Sequence, residues 1–207
     1  MTYDPERHRR RSLRLKGYDY AQAGAYFVTL CTQDRECLFG EVVDGAMRLN
    51  EYGAIVEQCW LAIPRHFPNV ELDVFVVMPN HVHGILLITS TNVGARHAVP
   101  LQNAVPLQNA VPLQNAVPLQ NAALLGTEQF GKLVSGSIPT VIRSFKSATT
   151  KRINEQRGTP GSSAWQRNYY EHVIRNDASL QRIREYIINN PMQWALDREN
   201  PDNVLQT

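Results

Sequence analysis

Two histidines stand one residue apart in the most strand-like stretch of the chain, VFVVMPNHVHGILLI (Val74–Ile88). Side chains alternate between the two faces of a strand, so His81 and His83 project to the same side, about 7 Å apart. Imidazoles at that separation can share one metal ion. Two such histidines can equally make ordinary hydrogen bonds at the start of a strand. The spacing alone leaves both interpretations open.

The segments around this stretch predict the elements that position the histidines. The predicted strands are Ala25–Gln33, two short strands around an Asp44-Gly45 turn within Leu38–Leu49, and the hairpin formed by Val70–Met78 and His81–Ile88. The predicted helices run from an Asn50 N-cap to Pro64, from Ser137 and Pro139 onward, and over 177–190, where Pro191 ends the last one. This order of strands and helices predicts an α+β fold with a mostly antiparallel sheet.

The composition fits one domain over residues 1–207, because the chain has 207 residues of which 43% are hydrophobic. Cys31, Cys37 and Cys59 have no metal-like spacing, which is typical of reduced thiols in a cytoplasmic protein. The apolar runs are too short to span a bilayer, and no apolar segment follows the start. We therefore expect a cytoplasmic protein without a membrane partner.

One segment interrupts the predicted domain. The hexapeptide AVPLQN occurs four times in succession from Ala98 to Asn121. A proline at every sixth residue excludes a continuous helix and a central strand, and six residues are too few for a helical repeat unit. We predict that residues 92–126 form a disordered insertion.

Three segments resemble a known family. The segments VVMPNHVHGILLI, RLKGYDYAQAGAYFVTLCTQ (Arg14–Gln33) and WQRNYYEHVIRNDASLQRIREYIINNPMQW (Trp165–Trp194) are similar, in the family's order, to REP-associated tyrosine transposases. These are single-tyrosine enzymes of the HUH class, named for the pattern of histidine, bulky apolar residue and histidine, and belong with the transposases of the smallest insertion sequences. The resemblance spans nearly the whole chain except the AVPLQN insertion.

The resemblance implies a fold, a cofactor and a reaction. It implies a ferredoxin-like fold, a divalent ion (Mg²⁺ or Mn²⁺), and single-stranded DNA carrying a REP-like foldback hairpin as the partner. The reaction would be metal-dependent cleavage and strand transfer through a covalent 5′-phosphotyrosine. A non-catalytic DNA-hairpin-binding protein and a metal-dependent hydrolase without covalent catalysis are the alternatives. We expect nucleoid association, and the sequence leaves monomer and homodimer open.

The last predicted helix carries the candidate nucleophile. Leu180, Ile183 and Ile187 form its apolar stripe, and Tyr186 and Asn190 lie together at the edge of that stripe, at positions i and i+4. The amide oxygen of Asn190 can complete a two-histidine metal site. The resemblance places the nucleophile at Tyr186, in YIINNP, whereas the plain alternative is a tyrosine at the edge of the core. Tyr169 and Tyr170 are competing tyrosines, but neither has an amide neighbour at helical spacing.

Basic residues are the candidate DNA contacts. A basic arm over residues 1–16 can neutralise phosphates or can be a solvated tail. Beyond the arm, one predicted helix and the aromatic, basic segment WQRNYYEHVIR supply further cations, with His172 and Arg175 as phosphate or positioning contacts. The full set of predicted DNA-binding residues is Arg7, Arg9, Arg10, Arg11, Arg14, Lys16, Arg143, Lys146, Arg167, His172 and Arg175.

Overall fold

The computed structural model describes residues 18–89 and 134–204. Its strands are β1 (Gly24–Cys31), β2 (Gly40–Val43), β3 (Ala46–Leu49), β4 (Val70–Val77), β5 (His81–Ile88) and β6 (Tyr170–Ile174). Its α-helices are α1 (Glu51–Leu61), α2 (Ile63–His66), α3 (Ile138–Arg157), α4 (Asp177–Asn189) and α5 (Pro201–Val204). Two short 3₁₀ helices cover Gln33–Arg35 and Pro191–Leu196.

Four strands form the main sheet in the order β4-β5-β1-β6, and each neighbouring pair is antiparallel. Along the chain these strands and two helices follow the order β1-α1-β4-β5-α3-β6. This is the β-α-β-β-α-β order of the ferredoxin-like motif. The α+β prediction with a mostly antiparallel sheet is confirmed. The β2–β3 hairpin lies outside this sheet, and its turn at Asp44 and Gly45 has positive φ at both residues, as predicted.

One face of the sheet packs against α1 and α3 and holds the larger core. Trp60 of α1 and Phe145 of α3 meet edge to face at 5.2 Å, above the buried strand residues Val28, Val82 and Leu86. The indole of Trp60 lies against the backbone of Gly84, where a Cβ atom would overlap its ring. Glycine is therefore required at the middle of β5 for α1 to reach the sheet.

The opposite face, which carries His81 and His83, packs against α4. Its core is smaller and contains Phe27, Ile85 and Ile187. At the far edge of the sheet, Arg184 of α4 makes a bidentate ion pair with the buried carboxylate of Asp73, at 2.6 Å for the shortest N–O distance. This pair ties α4 to β4, beside an irregularity in the pairing of β4 with β5.

Two local predictions need correction, and several predicted segments lie outside the described residues. Tyr170–Ile174 forms the edge strand β6, within the segment WQRNYYEHVIR for which sequence reasoning predicted DNA contacts and no strand. Pro64 does not end α1, which already stops at Leu61; it lies in the first turn of α2, where its missing N–H is harmless. The basic arm over 1–16 and the insertion over 92–126 lie outside the described residues. Within 18–89 and 134–204, no helix has the length and apolarity to cross a bilayer.

The contact between Gly84 and Trp60 gives a stability prediction. Replacing Gly84 with alanine should lower the free energy of unfolding by about 1–3 kcal/mol, because the added methyl overpacks the interface between α1 and the sheet. Gly24→Ala is the matched control, since a Cβ there meets its neighbours at ordinary contact distance, 3.6 Å or more. Urea denaturation of both variants measures the difference. Equal stabilities would show that the close approach of Trp60 does not constrain this strand.

Candidate functional site

His81 and His83 lie together at the start of β5. Their ring centroids are 4.4 Å apart, and both side chains are buried. The register with β1 places Cys31 opposite His81 and Thr29 opposite His83, so both imidazoles share the face that α4 covers. The ring centroids are thus closer to each other than the roughly 7 Å that separates alternate residues along a strand, because the two rings tilt toward each other.

Neighbouring side chains fix the orientation of both imidazoles. Nδ1 of His81 donates to Oδ1 of Asn80 at 2.9 Å, and the Asn80 amide nitrogen in turn donates to the carbonyls of Arg35 and Glu199. Nδ1 of His83 lies 2.9 Å from the Thr29 hydroxyl oxygen. Because Asn80 Oδ1 can only accept, Nδ1 of His81 carries the proton and Nε2 carries the lone pair, which is the arrangement found in metal-binding histidines.

Tyr186 reaches the histidines from α4. Its hydroxyl oxygen is hydrogen-bonded to Nε2 of His83 at 3.1 Å, and its ring is 5.1 Å from the imidazole. Tyr186 nevertheless remains 43% exposed, so part of its side chain faces solvent beside the histidines. Tyr169 and Tyr170 are placed elsewhere: the first lies under Lys146, and the second lies on β6 with its ring 6.2 Å from Phe27.

Asn190 and Asp197 close the other side of the histidine pair. Asn190 is buried at the C-terminal end of α4, and its Nδ2 donates to Oδ2 of Asp197 at 3.2 Å. Asp197 follows the 3₁₀ helix Pro191–Leu196, which turns the chain back over the sheet. One ligand atom each from His81, His83 and Asp197 lie within 4.8 Å of one another.

These donors fit a divalent metal ion. Nε2 of His81 and Oδ1 of Asn190 are buried and complete no hydrogen bond of good geometry within residues 18–89 and 134–204, although the Asn190 side chain is close enough to His81 to raise its pKa. A buried polar atom without a partner costs about 1–3 kcal/mol, so two of them beside a His-His-Asp cluster require an explanation. A metal ion would supply one, since two imidazoles with a carboxylate oxygen suit a divalent cation with open positions.

The protonation states of the two histidines and of Tyr186 are compatible with metal binding. Burial lowers the pKa of His81 to about 4, although the carboxylates of Asp197 and Glu199 oppose the shift. Burial lowers the pKa of His83 well below its ordinary value, and the neighbouring His81 lowers it further. Both imidazoles are therefore neutral near pH 7 and able to bind a metal. Burial raises the pKa of the Tyr186 phenol, and Asp197 adds to the rise, so this hydroxyl keeps its proton.

Sequence reasoning missed Asp197. The residue has no periodic relation to α4, and its position depends on the turn after Pro191, which no motif specifies. The one available signal was Pro191 itself, which ends the helix and lets the chain reverse beside Asn190. The four residues that sequence reasoning selected for the site, His81, His83, Tyr186 and Asn190, do lie together, and their roles stay predictions.

The predicted DNA contacts divide between two places. Arg143 and Lys146 belong to α3, on the opposite face from the histidines, and Nζ of Lys146 donates to the carbonyls of Gln166 and Asn168. Arg167 is exposed and lines a cavity together with Lys146. The exposed residues His172 and Arg175 lie on and just after β6. The six predicted contacts of the basic arm, Arg7, Arg9, Arg10, Arg11, Arg14 and Lys16, lie outside the described residues.

Comparisons with other proteins give one full-length relative. The chain is 39% identical over 196 residues to a protein of Haemophilus influenzae described as uncharacterized, which covers 95% of this chain and 96% of that protein. No family model matches the chain.

Two solved structures are similar at low identity. One is described as a REP-associated tyrosine transposase bound to a REP hairpin (TM-score 0.48, 16% identity, 91% of this chain and 76% of that one). The other is a Deinococcus radiodurans protein described as a candidate transposase (TM-score 0.40, 15% identity, 86% of this chain and 97% of that one). At these levels of similarity neither structure assigns a role to a residue here.

The lowered histidine pKa values give a pH prediction for the metal-free protein. The folded-state pKa lies below the unfolded value near 6.5, so the unfolded chain binds more protons between about pH 6.5 and pH 4. The free energy of unfolding should therefore fall as the pH falls through this window, by at most about 1.4 kcal/mol per pH unit for each histidine.

Denaturation in EDTA at several pH values measures this slope. His81→Gln should show a shallower slope than the wild type, because one of the two groups is gone. His66→Gln, at an exposed histidine of α2, should keep the wild-type slope. Equal slopes for all three proteins would contradict the assignment of buried, neutral imidazoles.

Proposed function

The chain belongs to the same protein family as the Haemophilus influenzae relative, and for this chain we propose a metal-dependent DNA endonuclease and strand transferase that uses Tyr186 as its nucleophile. The proposed substrate is single-stranded DNA with a foldback hairpin of the REP type. The proposal rests on the site and on the sequence resemblance to REP-associated tyrosine transposases.

One observation carries the proposal. The hydroxyl of Tyr186 lies 3.1 Å from Nε2 of a buried histidine that belongs to a His-His-Asp cluster. A tyrosine that only completes the edge of a core has no need of two adjacent buried imidazoles beside a carboxylate. A metal-dependent hydrolase, in turn, has no need of a tyrosine hydroxyl at that place. The combination favours covalent catalysis by a tyrosine beside a metal.

Four residues would hold the metal: His81, His83, Asp197 and Asn190. A divalent ion, Mg²⁺ or Mn²⁺, would supply charge that polarises the scissile phosphate and stabilises the leaving oxygen. The protein residues around the site contribute its preorganisation. Asn80 and Thr29 hold the two imidazoles in orientation, and the Asn190 amide holds the Asp197 carboxylate.

The covalent step balances without a co-reactant. The phenolic oxygen of Tyr186 forms a bond to phosphorus while the bond from phosphorus to the 3′ oxygen breaks. The tyrosine loses one proton and the leaving 3′ oxygen gains one, so the step consumes neither acid nor base overall. The 5′-phosphotyrosine retains the energy of a phosphodiester, and a 3′-hydroxyl can attack it to rejoin a strand without ATP.

Packing of α4 determines which tyrosine reaches the site. Leu180, Ile183 and Ile187 face the sheet, and the Asp73–Arg184 ion pair fixes the other flank of the helix. Tyr186 is thereby held on the flank that faces β1 and the histidines. A phenol near pH 7 is a weak nucleophile, so orientation and phosphate polarisation must contribute most of the rate.

Replacing Tyr186 with phenylalanine should abolish the covalent adduct with a hairpin-bearing single strand, because the nucleophilic oxygen is gone. Hairpin affinity should change less than threefold or so, since one hydroxyl contributes little binding area. Tyr52→Phe, on α1 at the opposite face, is the matched control and should form the adduct normally. Denaturing gel electrophoresis after incubation with Mn²⁺ detects the adduct, and anisotropy measures the affinity.

Two outcomes would overturn the proposal. An adduct that persists in Tyr186→Phe and disappears in Tyr170→Phe or Tyr169→Phe would assign the nucleophile to another tyrosine. Hairpin binding by the wild-type protein with no adduct under any metal would favour the alternative of a non-catalytic hairpin-binding protein.

A further inference from the structure

A second cavity opens at the edge strand β6, beside the start of α4. Its volume is about 420 Å³, within the range of small-ligand sites. Residues of β6, Tyr20 and the first turns of α4 line it, and its exposed members include Tyr170, His172, Arg175 and Arg182. None of these four is part of the metal cluster or contacts it.

The sheet connects this cavity to the candidate site. Thr29 of β1 pairs with His83 on one side and with Tyr170 on the other, so the three residues form one cross-strand row on one face. Strands lie about 4.8 Å apart, which puts the Cα atoms of Tyr170 and His83 roughly 10 Å from each other. Phe27, the next residue of β1 on the same face, contacts the rings of both Tyr170 and Tyr186.

Helix α4 makes the same connection along its exposed flank. Arg182 and Tyr186 are i and i+4, so they are neighbours on one flank, separated by a rise of about 6 Å along the axis. Arg184 points to the other flank, where it pairs with Asp73. Arg182 therefore stands one helical turn before the candidate nucleophile, on the cavity side.

The residues that line the cavity suit a ligand that is a polyanion and carries flat rings, as a nucleic-acid strand does. The ion pairs of the described part of the chain include neither Arg175 nor Arg182, and His172 adds a third basic group. Tyr170 is 41% exposed and lines the cavity, so part of its ring is open to a planar group. Glu171 is the acidic member of the lining, but its side chain is buried and projects to the other face of β6.

We propose that this cavity holds the nucleotide next to the scissile phosphate, with Tyr170 stacking on its base and Arg182 binding its phosphate. The inference deepens the proposed function, on which it rests, by giving the single strand a path across β6 to Tyr186. Stacking on a tyrosine tolerates every base, whereas Arg182 contributes charge without reading sequence. The cavity thus sets the position of the strand and leaves recognition of a hairpin to other surfaces.

Binding of short single strands in EDTA tests the cavity apart from the chemistry, because no metal is present to support cleavage. The probes are a fluorescein-labelled oligothymidylate and an abasic oligonucleotide of equal length. Tyr170→Leu should weaken binding of the oligothymidylate by about fivefold or more and leave the abasic probe unaffected. Tyr170→Phe should retain the preference for the probe with bases, because it keeps the ring.

Arg182→Ala should weaken binding of both probes and reduce the salt slope by about 0.7. Arg65→Ala removes an exposed cation of α2 and should change neither affinity nor slope. Unchanged binding by Tyr170→Leu and Arg182→Ala, or an equal loss of both probes in Tyr170→Leu, would overturn the proposal. These outcomes are independent of adduct formation at Tyr186, so the cavity and the proposed chemistry can fail separately.

Discussion

The candidate site depends on the two-residue period of β5 and on its register with β1. That period sends His81 and His83 to one face while Val82 and Gly84 face α1 and α3. A register shift of one residue would turn His81 and His83 toward the larger apolar core and turn Val82 and Gly84 to the opposite face. Trp60 would then lose the glycine backbone against which its ring packs. The close approach of Trp60 to Gly84 therefore protects the same register that assembles the histidines.

Burial gives the site its chemistry and makes it costly to fold. Desolvation keeps both imidazoles neutral, and hydrogen bonds with Asn80 and Thr29 compensate one nitrogen of each ring. Nε2 of His81 and the amide oxygen of Asn190 receive no such compensation in the described residues. Each costs about 1–3 kcal/mol. Local features that reduce stability in this way are expected where a protein binds a ligand or performs chemistry.

The sequence predicted the elements with strong periodicity, and the reasons for success and failure are physical. The alternation in β5 and the apolar stripe of α4 were strong signals, so the fold class was foreseeable. The pairing of Tyr186 with the histidines was expected from the family resemblance, because residue spacing alone left a core-edge tyrosine equally open. Edge strand β6 was missed because it is short and carries polar side chains on an exposed face. Asp197 was missed because its position depends on the turn after Pro191, which tertiary contacts determine and which no local pattern encodes.

The most direct test of the central claim is the position of a bound metal ion. Crystals grown with Mn²⁺ should show an anomalous scattering peak within coordination distance of Nε2 of His81 and of His83, with Asp197 and Asn190 as oxygen ligands. The hydroxyl of Tyr186 should lie beside that peak, facing an open coordination position. Full Mn²⁺ occupancy elsewhere on the protein, with no peak between these two imidazoles, would contradict the claim that this buried cluster is a metal centre.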